Sequence, residues 1–370
     1  MSRIPLPLPK HFVLGMDAQK SEGEGISRAV LPPCHFLNGR LRSQGWWFYY
    51  FVGMGLKWPL GLWGTIIWAA VWAWRNRHGA VAEHAARPGW RFWCLILLPP
   101  FVLVIGLNSQ TGVSGHFRYL LPAIPFVALA SSQLGTLWTG SSSDWLKWPV
   151  IATLLSTALS VVARHPYYIG YFNELAGWPF GGHRFLLRSD VDWGQDLLAL
   201  SRWSRPRIMD HHSPQKGSGV DLQCKNTGGP YGDKTADPFI GQGQLMHKEV
   251  RFTPEQNHGD RLNLAYCGLV NPALFGVDYR LPPIGRGGDE PDWTRPSPIP
   301  DDLQPGTYVI SVNLVQGLPF RVLDDTARAV AVPPNAMSYF RRFIPAGRIG
   351  TSLFVYHLSR ETIDRARQSP

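Results

Sequence analysis

Between Trp46 and Ala163 the chain runs through four apolar stretches studded with tryptophan, and few folds can absorb such a pattern. They lie at Pro59 to Trp74, Phe92 to Leu107, Tyr119 to Trp138 and Trp148 to Ala163. A helix that is apolar all round must be covered on every side, either by the interior of a large soluble protein or by lipid. Three of the stretches are slightly short for a spanning helix, which suits the soluble interior. Four in succession, ended by arginine or tryptophan, suit the bilayer better. The second stretch contains Pro99-Pro100, a kink that membrane helices tolerate when neighbouring helices cover it. The reading taken forward is an α-helical membrane domain of about four spans.

Charge is distributed to match. Up to Ala163 there are 13 Lys+Arg against 5 Asp+Glu, and thereafter 23 against 21. The basic excess therefore belongs to the apolar half, which suits anionic headgroups or a lipid phosphate and not a nucleic acid, for which a basic stripe on a soluble face is needed. The loop from Arg75 to Arg91 carries Arg75, Arg77, Arg87 and Arg91 against Glu83, so the positive-inside rule makes it cytoplasmic. Counting spans from there puts the N-terminal loop, the Asn108 to Phe117 loop and all residues after Arg164 outside. The cations of the N-terminal loop run against the rule, which long loops obey weakly.

Three regions follow. Residues 1–45, with Pro5, Pro7, Pro9, Pro32 and Pro33, form an extracytoplasmic proline-rich loop. Residues 46–163 form the transmembrane domain, with Trp46 to Tyr50 lying at the outer interface and the Lys57 ammonium snorkelling to the boundary. Residues 164–370 form a small extracytoplasmic α/β domain interrupted by a polar insert at 205–260. Strands are expected at Arg261 to Gly268, Gly306 to Asn313 and Ser352 to His357, a glycine-ended helical turn at Asn271 to Gly276, and a short helix at Tyr339 to Pro345. Cys34, Cys94, Cys224 and Cys267 lack metal-site spacing, and the adjacent His211-His212 has no third ligand, so no metal and no cofactor is expected. In an oxidising compartment Cys224 can pair with Cys267, a pairing that the sequence leaves open.

The junction, His165 to Leu198, carries the candidate chemistry. Its acidic cluster holds Asp190, Asp192 and Asp196, with the amide Gln195 beside the last, ahead of a helix marked by Leu197, Leu198, Leu200 and Trp203. These carboxylates either cap that helix or bind sugar hydroxyls. At the outer end of the third stretch stand His116 and Arg118. Arg118 serves there either as a membrane-end anchor or as a bidentate fork for phosphate.

Several motifs resemble one family. They are Gly45-Trp46-Trp47-Phe48-Tyr49-Tyr50, Arg118-Tyr119-Leu120-Leu121-Pro122, Asn173-Glu174-Leu175-Ala176-Gly177, Asp192-Trp193-Gly194-Gln195-Asp196-Leu197, and the segments LAYCGLVNPALFGV, GTYVISVNLVQG and RIGTSLFVYHL. They are similar to bacterial GT-C type glycosyltransferases related to dolichyl-phosphate-mannose protein mannosyltransferases. The resemblance spans most of the chain outside the polar insert. It implies a multi-pass cell-membrane enzyme that transfers a sugar from a polyprenyl-phosphate donor to an extracytoplasmic acceptor. On this reading His116, Arg118 and Lys57 are candidates for the donor phosphate, and Asn173, Glu174, Asp190, Asp192, Gln195 and Asp196 for the acceptor or for structure. The family's catalytic carboxylate lies in a loop upstream of the Gly-Trp-Trp stretch, and Asp17, Glu22 and Glu24 do not match it. The catalytic residue is therefore not identified, and an N-terminal catalytic half on a separate chain is an implied partner, beside membrane lipids. The rival reading is a non-catalytic, membrane-anchored module that binds a glycan or a partner protein.

Overall fold

Pro59 divides the apolar run from Trp46 to Trp74 into two helices with different surroundings. In the computed structural model, which describes residues 34–43, 45–75, 102, 106, 116–139, 144–177, 181–204, 261–287 and 295–368, α1 (Tyr49–Lys57) ends at Trp58 in extended backbone. The residue before a proline is driven out of helical geometry, which sets this break. α1 buries Tyr49, Tyr50, Gly53 and Met54 in the protein core. The aromatics expected at the membrane interface are thus split. Tyr49 and Tyr50 are fully buried, whereas Trp47 is 70% exposed.

α2 (Leu60–Arg75) buries only Gly61, Thr65 and Ala69, small residues four apart that form one stripe. Leucine at these places would hold a neighbouring helix off, and small residues let backbones approach. The neighbour is the later helix from Lys147 to Val162 (named α5 below). A Cβ on Gly61 would overlap the Thr153 carbonyl and Thr157, and one on Gly64 would come within 2.7 Å of the Thr153 methyl. Thr65 Oγ1 lies 3.0 Å from Thr153 Oγ1.

The four expected spans are not all seen among the described residues. Among the described residues two helical stretches are long and apolar enough to cross a membrane, Phe117–Trp138 and Asp144–Val162. The first joins a 3-10 turn (Phe117–Ala123), α3 (Ile124–Ser132), a second 3-10 turn (Gln133–Gly135) and α4 (Thr136–Thr139). The second ends in α5 (Lys147–Val162), which buries only Val150 and leaves Leu154, Leu155, Leu159 and Val162 exposed. α2, cut short by Pro59, has 16 residues, about 24 Å of helix against a hydrocarbon layer of about 30 Å. The stretch Phe92 to Leu107 lies outside the described residues except for Val102 and Gly106, as do the Arg75 to Arg91 loop beyond Arg75, the insert from Arg205 to Asp260, and His211-His212.

The second half of the chain is built on a five-stranded mixed sheet of order β4-β3-β5-β9-β8. After α6 (Leu197–Ser204) come β3 (Leu262–Ala265), β4 (Tyr279–Arg280), β5 (Gly306–Ser311), the one-turn helix α7 (Val312–Val315), the hairpin β6 (Phe320–Leu323) and β7 (Ala329–Val332), then β8 (Gly347–Ile349), β9 (Leu353–Leu358) and α8 (Arg360–Gln368). β3 lies parallel to β4 and β5, and β9 runs antiparallel to β5 and β8. Both faces are covered. Tyr308, Ile310, Phe354 and Tyr356 enter the main core together with Tyr49, Tyr50, Phe117 and Leu120. Val309, Leu353 and Val355 pack the other face against Leu197 and Leu200 of α6. Double coverage explains why β5 and β9 read as nearly continuous apolar runs.

The expected turn at Asn271 to Gly276 is a 3-10 turn at Pro272–Phe275, with Asn271 accepting from the Ala273 amide and Gly276 left-handed at φ 76°. The strand expected to reach Asn313 stops at Ser311, whose hydroxyl caps α7. The extended loop expected up to Gln44 is corrected in its last part. β1 (His35–Leu37) and β2 (Arg40–Arg42) form a hairpin, because Cys34, Phe36 and Leu41 find an apolar seat on Leu187 and Leu318.

Candidate functional site at the junction

Arg188 sits at φ 60° without being glycine. A left-handed conformation costs an ordinary residue about 1–3 kcal/mol, and it persists only where its surroundings impose it. Here they do. The Arg188 amide donates to Asn313 Oδ1 at 2.8 Å, and its guanidinium donates to the Cys34 carbonyl. Leu186 and Leu187 are buried just before it. The 3-10 turn Arg188–Asp190 then brings Ser189 against His116, Nδ1 to Oγ 2.5 Å, and Asp190 against two elements at once.

Asp190 is 5% exposed. Its carboxylate accepts from the Tyr49 hydroxyl of α1 and from the Phe117 amide at 2.9 Å, at the first residue of the Phe117–Trp138 stretch. Burial pushes its pKa up, opposed by Lys57, the Tyr49 hydroxyl, the Phe117 amide and Arg118. Lys57 Nζ, expected to snorkel, is instead folded inward. It donates to the carbonyls of Ile169 (2.9 Å) and Asp190 and lies 4.1 Å from the Phe172 ring centre. Burial lowers its pKa to about 8, with Asp190 pulling the other way.

Three of the residues singled out from the sequence therefore meet around Asp190: Lys57, His116 and Arg118. Arg118 is exposed and rests over Trp193 at 4.7 Å and Tyr119 at 5.7 Å. It makes no hydrogen bond or ion pair among the described residues. His116 stands edge-on to Trp193, ring centres 6.4 Å apart. Burial first, then Arg118, Arg188 and His35, lowers the pKa of His116 to about 4, so the imidazole is neutral at pH 7. The result is a cationic edge whose carboxylate is already bound inward. Arg188, Ser189 and His35 belong to this edge and were not singled out from the sequence. The one local signal for them was an arginine within an apolar run, Phe185-Leu-Leu-Arg188, and nothing local announces the left-handed turn.

The rest of the acidic cluster has a different task. Asp192 accepts from the Ser311 hydroxyl at the end of β5 and from the Gly194 amide at 2.9 Å. Asp196 precedes α6 and offers its backbone carbonyl to Leu200. Its carboxylate turns instead to the β8–β9 turn, accepting from the amides of Thr351 (2.7 Å) and Ser352 (2.8 Å) and from the Ser352 hydroxyl at 2.8 Å. Gln195 Nε2 donates to the Val191 carbonyl at 2.8 Å and to Thr351 Oγ1 at 3.3 Å. Together they latch this loop over the carboxyl end of β5, the region of an α/β sheet where ligands commonly bind.

Asp192 carries a pH consequence. Burial raises its pKa to about 7, with Asp196 adding to the rise. The folded chain then holds a proton that the unfolded chain releases near pH 4. Stability from this group is complete below about pH 4 and is lost as pH rises towards 7, by about 1.4 kcal/mol per pH unit. The unfolding temperature of detergent-solubilised protein is expected to fall across that window, and to fall less in Asp192→Asn; parallel profiles for the two would refute this.

Asn173 and Glu174 lie apart from the edge. Asn173 is fully buried and closes the C-terminus of α1, donating to the carbonyls of Gly55 (2.6 Å) and Trp58 (2.8 Å). Glu174 is exposed and accepts from Ser160 of α5 at 3.1 Å. Cys267 is a free thiol within the core, and Cys224 lies outside the described residues. Among the described residues no group of three or more His, Cys, Asp and Glu is placed to hold a metal ion.

Comparison with known proteins finds no match: no protein-family model, no curated protein and no solved structure. The motif resemblance of the sequence therefore stands alone, and function rests on the geometry of the junction.

Proposed function

We propose that the chain is the C-terminal portion of a GT-C type membrane glycosyltransferase related to dolichyl-phosphate-mannose protein mannosyltransferases, and that its cationic edge receives the phosphate of a polyprenyl-phosphate sugar. The observation that carries this reading is Arg118. Its guanidinium is exposed, stacked on Trp193 and without an ion pair or hydrogen bond among the described residues, and it stands one residue inside the apolar Phe117–Trp138 stretch. A lipid phosphate needs this pairing of a fork of donors with an adjacent apolar path for its tail. In this scheme the chain crosses the membrane several times and the sheet domain lies on the outer side. His116, neutral and in contact with Ser189 through Nδ1, contributes a donor without adding charge.

The test is direct. The purified chain in lipid nanodiscs is expected to bind radiolabelled polyprenyl-phosphate sugar, with unlabelled polyprenyl phosphate displacing it and polyprenol failing to do so. Absence of saturable binding would overturn the proposal.

One observation favours the non-catalytic module as a second reading. Asp190, Asp192 and Asp196 are all buried and committed to internal hydrogen bonds. None of these three is placed to take a proton from an acceptor, so turnover on this reading needs a base other than this acidic cluster. Binding without sugar transfer is the outcome that separates the module from the enzyme.

A further inference from the structure

The sheet domain carries a rigid apolar projection whose exposure its own packing does not explain. From Ala265 to Val277 there is no charged residue. Within that stretch Leu269 is 89% exposed, Val270 46% and Leu274 79%. The turn that presents them is fixed, with Asn271 capping one end, Gly276 left-handed at the other, and Phe275 held by the Ser201 hydroxyl of α6 at 2.7 Å. Leu198, on the same α6, is 56% exposed. These side chains are displayed on a well-held scaffold.

What covers them follows from where the projection is attached. Tyr266 donates to the Gly194 carbonyl at 2.6 Å, and a Cβ on Gly194 would lie 3.0 Å from Gly268. The residue before Gly194 is Trp193, 53% exposed, which touches Arg118 at the head of the Phe117–Trp138 stretch. The apolar projection is thus continuous, through Trp193, with the end of a helix long and apolar enough to cross a bilayer. A tryptophan beside an arginine at that level is the usual signature of the interfacial layer. A nearby uncharged turn of leucines and valine is suited to lie in the same layer.

We infer that the Leu269–Leu274 turn, with Leu198 and Trp193, inserts into the outer leaflet and docks the sheet domain onto the bilayer surface. This rests on the membrane reading given above. It has a physical consequence for the cationic edge, which would be held at headgroup depth, where a lipid-borne phosphate resides.

Fluorophores placed on cysteines introduced at Leu274 and, in separate proteins, at Leu159 of α5 and Glu361 of α8 test this in phosphatidylcholine–phosphatidylglycerol nanodiscs. The signal of the unsubstituted chain is subtracted. Some discs carry lipids with a nitroxide near the headgroup, others near the chain end. The Leu274 label is expected to be quenched at least twofold more by the shallow nitroxide than the Glu361 label, and the Leu159 label to be quenched by the deep one. Quenching at Leu159 but not at Leu274 overturns the docking and leaves the membrane reading standing. Quenching at neither overturns both. Equal quenching at Glu361 and Leu274 also overturns the docking. Leu269→Ser/Leu274→Ser, which removes two solvent-facing side chains, is expected to keep the unfolding temperature in detergent and to lose the shallow quenching of a label at Leu198→Cys.

Discussion

Replacing Asp190 by alanine is expected to cost the fold about 3–5 kcal/mol, the usual penalty for removing one member of a buried charged network. The size follows from what is left behind. The Tyr49 hydroxyl and the Phe117 amide, both buried, lose their acceptor, and each unsatisfied group costs about 1–3 kcal/mol. Lys57 loses the charge that holds its pKa up, so its buried ammonium becomes harder to maintain. Tyr49→Phe removes only one of these bonds and is expected to cost about 1 kcal/mol. The measurement is the unfolding temperature in detergent, with limited proteolysis as a second readout. A shift for Asp190→Ala no larger than that of Tyr49→Phe would show that the carboxylate does not tie the junction together.

Arg118→Ala is expected to weaken binding of a polyprenyl-phosphate sugar by about 10- to 100-fold, the loss of one charge-assisted contact of about 1.5–3 kcal/mol. Arg118→Lys should recover part of it, because a lysine keeps the charge but loses the planar fork and the stacking on Trp193. Raised salt should weaken the original chain more than the alanine variant, since Arg118 is exposed and its attraction is screened. The fold should not respond, because this side chain makes no hydrogen bond or ion pair among the described residues. Equal affinities of the original and variant chains would remove Arg118 from the site, and with it the observation on which the functional reading rests.

Much of the sheet domain was legible in the sequence. β3 and β5 fall within the stretches read as strands, β9 runs one residue past the stretch read for it, and Gly276 marked the end of the helical turn, because strand runs and caps are local patterns. The hairpins and the short edge strands β4 and β8 were not read. Strands of two to four residues carry too little periodicity, and β1–β2 exists because of an apolar seat on distant Leu187 and Leu318. The apolar stretches announced helices but not their lengths. Composition between Trp46 and Trp74 is almost uniform, and only Pro59 divides a core helix from an exposed one. At the junction, residue types were informative and partners were not. The acidic cluster looked like a helix cap or a sugar site. Yet Asp190, Asp192 and Asp196 each reach a different element, over 119 to 156 positions in sequence for the latter two.

One feature of the core bears on how the chain is made. Tyr49, Tyr50 and Phe117 share an interior with Ile310, Tyr356 and Ile363, so residues near the first third of the polypeptide wait for those near its end. On the ribosome, the aromatic face of α1 emerges long before β9 and α8 exist to shield it. During that interval it is an adhesive surface of the kind that chaperones hold. A secreted copy of residues 164–370 would therefore begin life without the Tyr49, Tyr50, Met54, Trp58, Phe117 and Leu120 part of its central interior, and would be expected to accumulate as aggregate.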